Sequence, residues 1–162
     1  MFRLLFLLSF TLHNMEEALW LPEWSAHAGK FHTKVSGKGF RFAVLIITMI
    51  GYLLTFADLV FGGKAAPVKY IYLGFVLMMC FNALFPHLIG TIILKKYSPG
   101  TLTGLLLNLP IGLYLIFRDE GIGFLDYRLY LFFVPVTALT LLILKPLFRM
   151  GDRLLGYVNE KD

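Results

Sequence analysis

The chain has 162 residues, of which 58% are hydrophobic and only 15% are charged. An ordinary soluble domain has about 45–50% apolar and about 25% charged residues, and a domain this short could not bury so much apolar surface. The mean hydropathy of +0.74 indicates the same. The composition excludes an ordinary soluble domain and predicts an integral membrane protein.

The net charge is +5, but the basic residues lie between apolar runs and not in a basic and aromatic stretch. Membrane proteins keep Lys and Arg in their loops, so we expect no nucleic-acid partner. The single cysteine, Cys80, lies within an apolar run and cannot form an internal disulfide. We expect it to be a packing residue.

Five apolar stretches are long enough to cross a bilayer, since a spanning helix needs about 20 mostly apolar residues. They predict an all-α fold, an integral membrane helical bundle of about five transmembrane helices that forms a single membrane domain over residues 1–162. The spans fall approximately at residues 2–20, 40–61, 68–94, 101–117 and 124–148. Trp20 and Trp24 are expected to be interfacial anchors of the first span.

The first stretch could instead be a signal peptide, because Arg3 precedes an apolar run and Ala26-His27-Ala28 is a small-residue pattern. A signal peptide is cleaved soon after its apolar region. Here the apolar run ends at Leu12, and the long segment between it and the small-residue pattern at Ala26 carries two adjacent glutamates. We therefore favour a transmembrane helix.

Basic residues are distributed unevenly about the five spans. Ten lie on the side of the first loop, the third loop and the C-terminal tail, and five lie on the other side. The side richer in Lys and Arg is normally cytoplasmic. We therefore expect a multi-pass protein of the inner (cytoplasmic) membrane, with the N-terminus outside and the C-terminus in the cytoplasm. His27 and His32 fall in the first loop, where we expect contact with water.

Three polar residues in the first span form a candidate site: His13, Glu16 and Glu17. Spacings of three and four place them on one face of a helix, within an arc of about 100°. A carboxylate in hydrocarbon costs about 2.5–3.5 kcal/mol on insertion scales, so two adjacent ones need partners, protons or a metal. Alternatively, the span ends near Met15 and the glutamates lie in water at the interface.

A second set of polar residues lies in the third span: Asn82, Pro86 and His87. Pro86 has no N–H, so the Asn82 carbonyl loses its helical donor and we expect a kink there. Irregular backbone survives in a membrane only where it lines protein or water, which indicates a cavity. Alternatively, the kink is structural and His87 bonds to a neighbouring helix.

The predicted topology places the two sets at one depth. The first and third spans run in the same direction, so His13 and Asn82 fall near the midplane, and Glu17 and His87 fall in the inner leaflet. We predict that these side chains converge on one cavity. Asp58 lies near the outer end of the second span, and we expect it to be solvated and outside this cluster.

Several motifs of the chain resemble those of a known family. The segment His13-Asn14-Met15-Glu16-Glu17 fits the motif of the HXXEE family of uncharacterised bacterial membrane proteins. Leu12 before the motif, and Ala18 and Trp20–Trp24 after it, fit as well. The stretch from Asn82 to Pro86-His87 resembles the family's second motif. Tyr97-Ser98-Pro99-Gly100 and Asn108-Leu109-Pro110 are similar to its later pattern, and the likeness extends to about Tyr114.

The resemblance implies a site of five residues, which we take as candidate catalytic residues: His13, Glu16, Glu17, Asn82 and His87. Glu17 is expected to be a proton donor or metal ligand with Glu16 as its partner, the two histidines bases or ligands, and Asn82 a hydrogen-bonding orienter. The family is suspected to comprise membrane enzymes, but the resemblance implies no particular reaction.

Three classes of function fit these residues. The first is a membrane enzyme, a lipid hydrolase or isomerase, that acts on a lipid-like substrate by acid/base or metal-assisted chemistry. A divalent metal, zinc or iron, would be bound by His13, Glu17 and His87. The second class is a proton-coupled carrier, since intramembrane His and Glu also form proton relays. The third is a structural or assembly protein in which a buried polar network packs the helices.

Overall fold

The computed structural model of the protein describes residues 1–28 and 35–158, so His32 lies outside the described residues. All regular structure in the described ranges is helical. The described residues form five helices: α1 (Phe2–Ser25), α2 (Gly37–Phe61), α3 (Ala66–Leu94), α4 (Thr101–Asp119) and α5 (Tyr127–Val158). The predicted all-α membrane bundle is confirmed. The largest difference from the predicted spans is at the end of α5, which continues well past residue 148.

Helices α2 to α5 are long and apolar enough to cross a membrane. Helix α1 is less apolar because it contains Arg3 and three glutamates. Its 24 residues nevertheless give a length of about 36 Å at 1.5 Å per residue, which exceeds a hydrocarbon core of about 30 Å. One side of α1 exposes only large apolar side chains, a surface suited to lipid: Leu4, Leu8, Leu12, Met15 and Leu19.

Helix α3 lies at the centre of the bundle and packs against α2, α4 and α5, while α1 packs against α2 and α4. Its middle turns are buried on all sides, from Tyr72 to Cys80. Gly74 allows this packing, since a Cβ there would lie 2.9 Å from the Phe133 backbone nitrogen of α5. As expected, Cys80 is a buried free thiol.

Four charged residues join the helix ends at one end of the bundle. The Arg3 guanidinium contacts Asp58 Oδ2 at 2.5 Å and Glu120 Oε1 at 2.5 Å, and Lys69 Nζ lies 2.7 Å from Glu120 Oε2. The expectation that Asp58 is solvated is therefore wrong, because its side chain is fully buried against Arg3. Pairing with a residue 55 positions away offset the cost of burying this carboxylate, and no local pattern revealed that partner.

Candidate functional site

The first component of the site is the imidazole of His13, which is fully buried near the middle of α1. Its Nδ1 lies 3.1 Å from Thr103 Oγ1 on α4. The Thr103 hydroxyl donates its only hydrogen to Glu16 Oε2 at 2.6 Å, so it accepts from His13 Nδ1–H. In the neutral imidazole the lone pair is then on Nε2, which faces Asn82 and Glu17.

The second component comes from the break in α3, which confirms the predicted kink. Phe85 has extended backbone angles (φ −132°, ψ 121°), and the Phe85–Pro86 peptide bond is cis. The residue before a proline is biased toward this extended region. Helical structure resumes after the break, and the His87 imidazole that follows it is 1% exposed.

Asn82 connects the two histidines. Its Nδ2 lies 3.1 Å from His13 Nε2 and 3.1 Å from His87 Nε2. A carboxamide nitrogen carries two hydrogens, so it can donate one to each ring. The rings are nearly perpendicular, with centroids 5.1 Å apart. Asn82 therefore orients both Nε2 atoms toward one point.

Glu17 completes the cluster at that point. Its Oε1 lies 2.7 Å from His87 Nε2 and 3.6 Å from His13 Nε2. Ligand atoms of all three side chains lie within 4.8 Å of one another, a spacing that could accommodate a metal ion. The Glu17 side chain is 14% exposed, whereas those of the histidines are at most 1% exposed. Access to the cluster is therefore on the Glu17 side.

Glu16 makes different contacts from Glu17, although the two are adjacent in sequence. Its Oε1 accepts hydrogen bonds from the Gly100 backbone N–H at 2.7 Å and from the Tyr97 hydroxyl, and its Oε2 accepts from the backbone N–H and the hydroxyl of Thr103. A carboxylate at a helix N-terminus is stabilised by the free N–H groups and the helix dipole. Glu16 thus connects α1 to the first turn of α4.

The turn before α4 supplies two further contacts to the site. Burial raises the pKa of the Tyr97 phenol to about 12, and the hydrogen bond to Glu16 acts in the same direction, so the phenol remains a donor. Gly100 has φ +93°, and a Cβ there would lie 2.7 Å from His87 Cε1 and 2.9 Å from His13 Cε1. Only a glycine lets this turn approach both imidazoles.

The structure brings all five predicted site residues together at the α1–α3–α4 junction. Asp58 has its partner at the opposite end of the bundle, and His27 is exposed, with Nδ1 bonded to the Glu23 carbonyl. Sequence reasoning missed the role of Thr103 and the close approach of Gly100 to both imidazoles. The Pro99-Gly100 pair was a signal for a tight turn, but no sequence feature distinguished Thr103 from other threonines.

Comparison with known proteins gives a family without an assigned activity. A family model described as a protein of unknown function with HXXEE motif matches residues 4–115. The chain is similar to the uncharacterised protein YrkK of Bacillus subtilis (strain 168), with 43% identity over 149 residues that cover 91% of this chain and 94% of that protein. No solved structure matches the chain.

Proposed function

The chain belongs to the HXXEE-motif family of proteins of unknown function, and from its buried site we propose that it is a membrane-embedded enzyme that uses a metal centre on a lipid-like substrate. One observation carries the proposal: ligand atoms of His13, Glu17 and His87, from two helices, lie within 4.8 Å of one another. Two imidazoles and one carboxylate form a ligand set that suits zinc or iron.

The distances within the cluster support this assignment. Metal–ligand bonds of about 2.0–2.2 Å at tetrahedral angles separate ligand atoms by about 3.4 Å. The 3.6 Å between His13 Nε2 and Glu17 Oε1 fits that separation. The 2.7 Å between His87 Nε2 and Glu17 Oε1 is a hydrogen-bond distance. A metal would widen this contact by less than about 1 Å, and Glu17 is the less buried partner.

The surrounding contacts would orient the ligands. Metal-bound histidines usually donate their other ring N–H to an oxygen acceptor, which fixes the tautomer. His13 has this arrangement, since its Nδ1–H is bonded to Thr103, which is bonded to Glu16. We assign Glu16 and Thr103 positioning roles. Asn82 would orient the two rings before the metal binds, because it donates to the same Nε2 atoms that the metal would then occupy. Glu17 and the two histidines would contact the metal.

Three protein ligands leave a coordination position for water or substrate, as in catalytic zinc sites. A metal there would lower the pKa of bound water to about 7 and polarise an ester or phosphate oxygen, which suits hydrolysis of a lipid. Glu17 is the one ligand within reach of solvent. Water and substrate would therefore reach the centre from the Glu17 side.

A metal-free acid–base centre is the second candidate, and the 2.7 Å contact between Glu17 and His87 favours it. Such a pair would share one proton and could move a hydrogen between two carbons of a substrate, as in an isomerase. In the described ranges, no contact specifically favours the proton-coupled carrier or the assembly protein.

We also propose the arrangement in the membrane that the basic residues support. The whole chain forms a single membrane domain of the inner membrane, with the N-terminus outside and the C-terminus in the cytoplasm. The ten-to-five distribution of Lys and Arg supports this orientation. The site then faces the cytoplasmic half of the bilayer, where lipid is the available substrate.

A lipid-turnover experiment tests the proposed activity. Protein purified in detergent and loaded with zinc would be incubated with a bacterial lipid extract, and the lipids would be compared by mass spectrometry. We expect the wild type to convert at least one lipid class and Glu17→Gln to convert none. Asp119→Asn is the matched control, because Asp119 is an exposed carboxylate at the end of α4 that lies away from the site. An unchanged extract with the zinc-loaded wild type would contradict the proposal.

A further inference from the structure

A large groove lies beside the site, between the second half of α1 and the turn that leads into α4. Its volume is about 930 Å³, at the upper end of the range of about 300–1,000 Å³ for small-molecule sites. Its walls are mostly apolar: Leu12, Met15, Leu19, Trp20, Pro99 and Leu102. Because this surface faces lipid, an apolar chain can enter it from the side.

The two ends of the groove differ in chemistry. The groove begins at Leu12, near the middle of α1, and continues past Trp24 in the last turn of α1 to His27, and Lys96 also lines it. Tryptophan and lysine are typical of the membrane–water interface. From Leu12 to Ser25, the last residue of α1, is thirteen residues, or about 20 Å along the helix axis. This equals about half of a bilayer of 40–45 Å, the depth of one leaflet.

We propose that the groove binds one anionic membrane lipid, with an acyl chain along α1 and its phosphate beside Lys96. The apolar walls match the chain and the one-leaflet length matches the whole lipid. Lys96 provides a positive charge where the headgroup would lie, and Lys95 is adjacent to it. Glu23 also lines the groove, and its carboxylate would repel any anion beside Lys96. Contact of the acyl chain with the apolar walls must therefore supply most of the binding, which favours a lipid over a free anion.

The groove is connected to the site through two residues. Glu16 and Thr103 line its floor, and the Thr103 hydroxyl is bonded to both Glu16 and His13. Trp20, at the edge of the groove, lies three residues after Glu17 on the same helix face. A lipid in the groove would therefore lie next to the hydrogen bonds that orient the centre. That this lipid is the substrate rests on the proposed function, whereas its binding does not.

The chain has two tryptophans, Trp20 and Trp24, and both line the groove. Their fluorescence therefore reports directly on its occupant. The probe is phosphatidylglycerol with brominated acyl chains, added in small amounts to the protein in detergent micelles. We expect quenching that saturates at about one lipid per chain. Quenching that rises in proportion to the lipid fraction without saturation would overturn the proposal.

Two pairs of variants locate the lipid. Lys96→Gln should weaken the phosphatidylglycerol affinity about five-fold, the effect of one lysine near an anionic surface, whereas Lys95→Gln should change it less, because Lys95 does not line the groove. Leu102→Arg should abolish saturable quenching, and Leu142→Arg, at a more exposed leucine of α5, should preserve it. Saturable quenching that survives Leu102→Arg would overturn the proposal.

Zinc binding measured on the same samples separates the two claims. Leu102→Arg should retain wild-type zinc affinity, which also shows that the variant is folded. Saturable quenching in a wild type that binds no zinc would support the lipid site and contradict the metal centre. Binding of one zinc per chain together with quenching that does not saturate would support the metal centre and contradict the lipid site.

Discussion

Gly100 offers a sharp test of how the site is built, because its lack of a side chain lets the turn before α4 approach both histidines. In Gly100→Ala, the new Cβ would lie 2.7 Å from His87 Cε1, 2.8 Å from His87 Nδ1 and 2.9 Å from His13 Cε1. Carbon atoms in contact prefer about 3.5–4.0 Å, so the rings would have to move by about 0.7 Å or more. A functional constellation tolerates about 0.5 Å.

The magnitude follows from two separate costs. Residues that orient metal ligands typically change metal affinity by about 10–100-fold when substituted, so we expect Gly100→Ala to weaken zinc binding at least ten-fold. The variant also places alanine at φ +93°, which costs roughly 1–2 kcal/mol of stability for an L-residue in the left-handed region. The loss of zinc affinity depends on the clash with the imidazoles, whereas the loss of stability depends only on the backbone angle.

Gly121→Ala separates these costs. Gly121 has φ +63°, but a Cβ there would meet no atom within 4 Å. Both variants should lower the thermal unfolding temperature in detergent, and only Gly100→Ala should weaken zinc binding in a chelator-competition titration. If Gly100→Ala bound zinc within two-fold of the wild type, or if Gly121→Ala weakened binding equally, the proposed packing against the imidazoles would be refuted.

Three further predictions concern the contacts around the site and at the bundle's other end. Thr103→Val keeps the side-chain shape but removes the hydroxyl, so zinc affinity measured by chelator competition should fall about 10–100-fold. Thr103→Ser keeps the hydroxyl and should bind zinc as the wild type does. Unchanged zinc affinity in the valine variant would contradict the positioning role of the hydrogen bonds from His13 to Thr103 and from Thr103 to Glu16. Arg3→Met leaves the Asp58 carboxylate buried without its partner, which costs about 3–5 kcal/mol, so the unfolding temperature should drop while zinc affinity stays at the wild-type value. Hydrogen bonds from Arg128 lower the pKa of Asp126 to about 2. The Asp126 carboxylate therefore stabilises the fold above about pH 4, and this contribution is lost as the pH falls through about 2. The difference in unfolding temperature between the wild type and Asp126→Asn should shrink over that range, and a constant difference would refute this prediction.

The fold was predictable because lipid imposes a simple rule on sequence. Spanning helices must be long and apolar, and four of the five stretches met that rule directly. Helix α1 was predictable from its apolar run despite Glu16 and Glu17. The kink of α3 followed from Pro86, which cannot donate to the Asn82 carbonyl.

The convergence of the polar residues could be anticipated from depth and helix face, but their individual contacts could not. Glu16 and Glu17 are adjacent and chemically identical. Only the packing of α4 and its preceding turn against α1 gives four donors to Glu16, and only the approach of α3 places His87 beside Glu17. The ion pair of Arg3 with Asp58 was missed for a similar reason. Contacts between residues far apart in sequence depend on how the helices are rotated against one another, and helical periodicity does not determine that rotation.

The central claim is that His13, Glu17 and His87 bind one metal ion. X-ray absorption at the zinc edge, on protein with its zinc content measured, tests it most directly. We expect one zinc per chain, with two imidazoles and one carboxylate at about 2.0–2.2 Å. This zinc should be lost in His87→Ala and retained in His27→Ala. Wild-type protein that takes up no more zinc than His87→Ala, or a zinc spectrum that is the same in both, would contradict it.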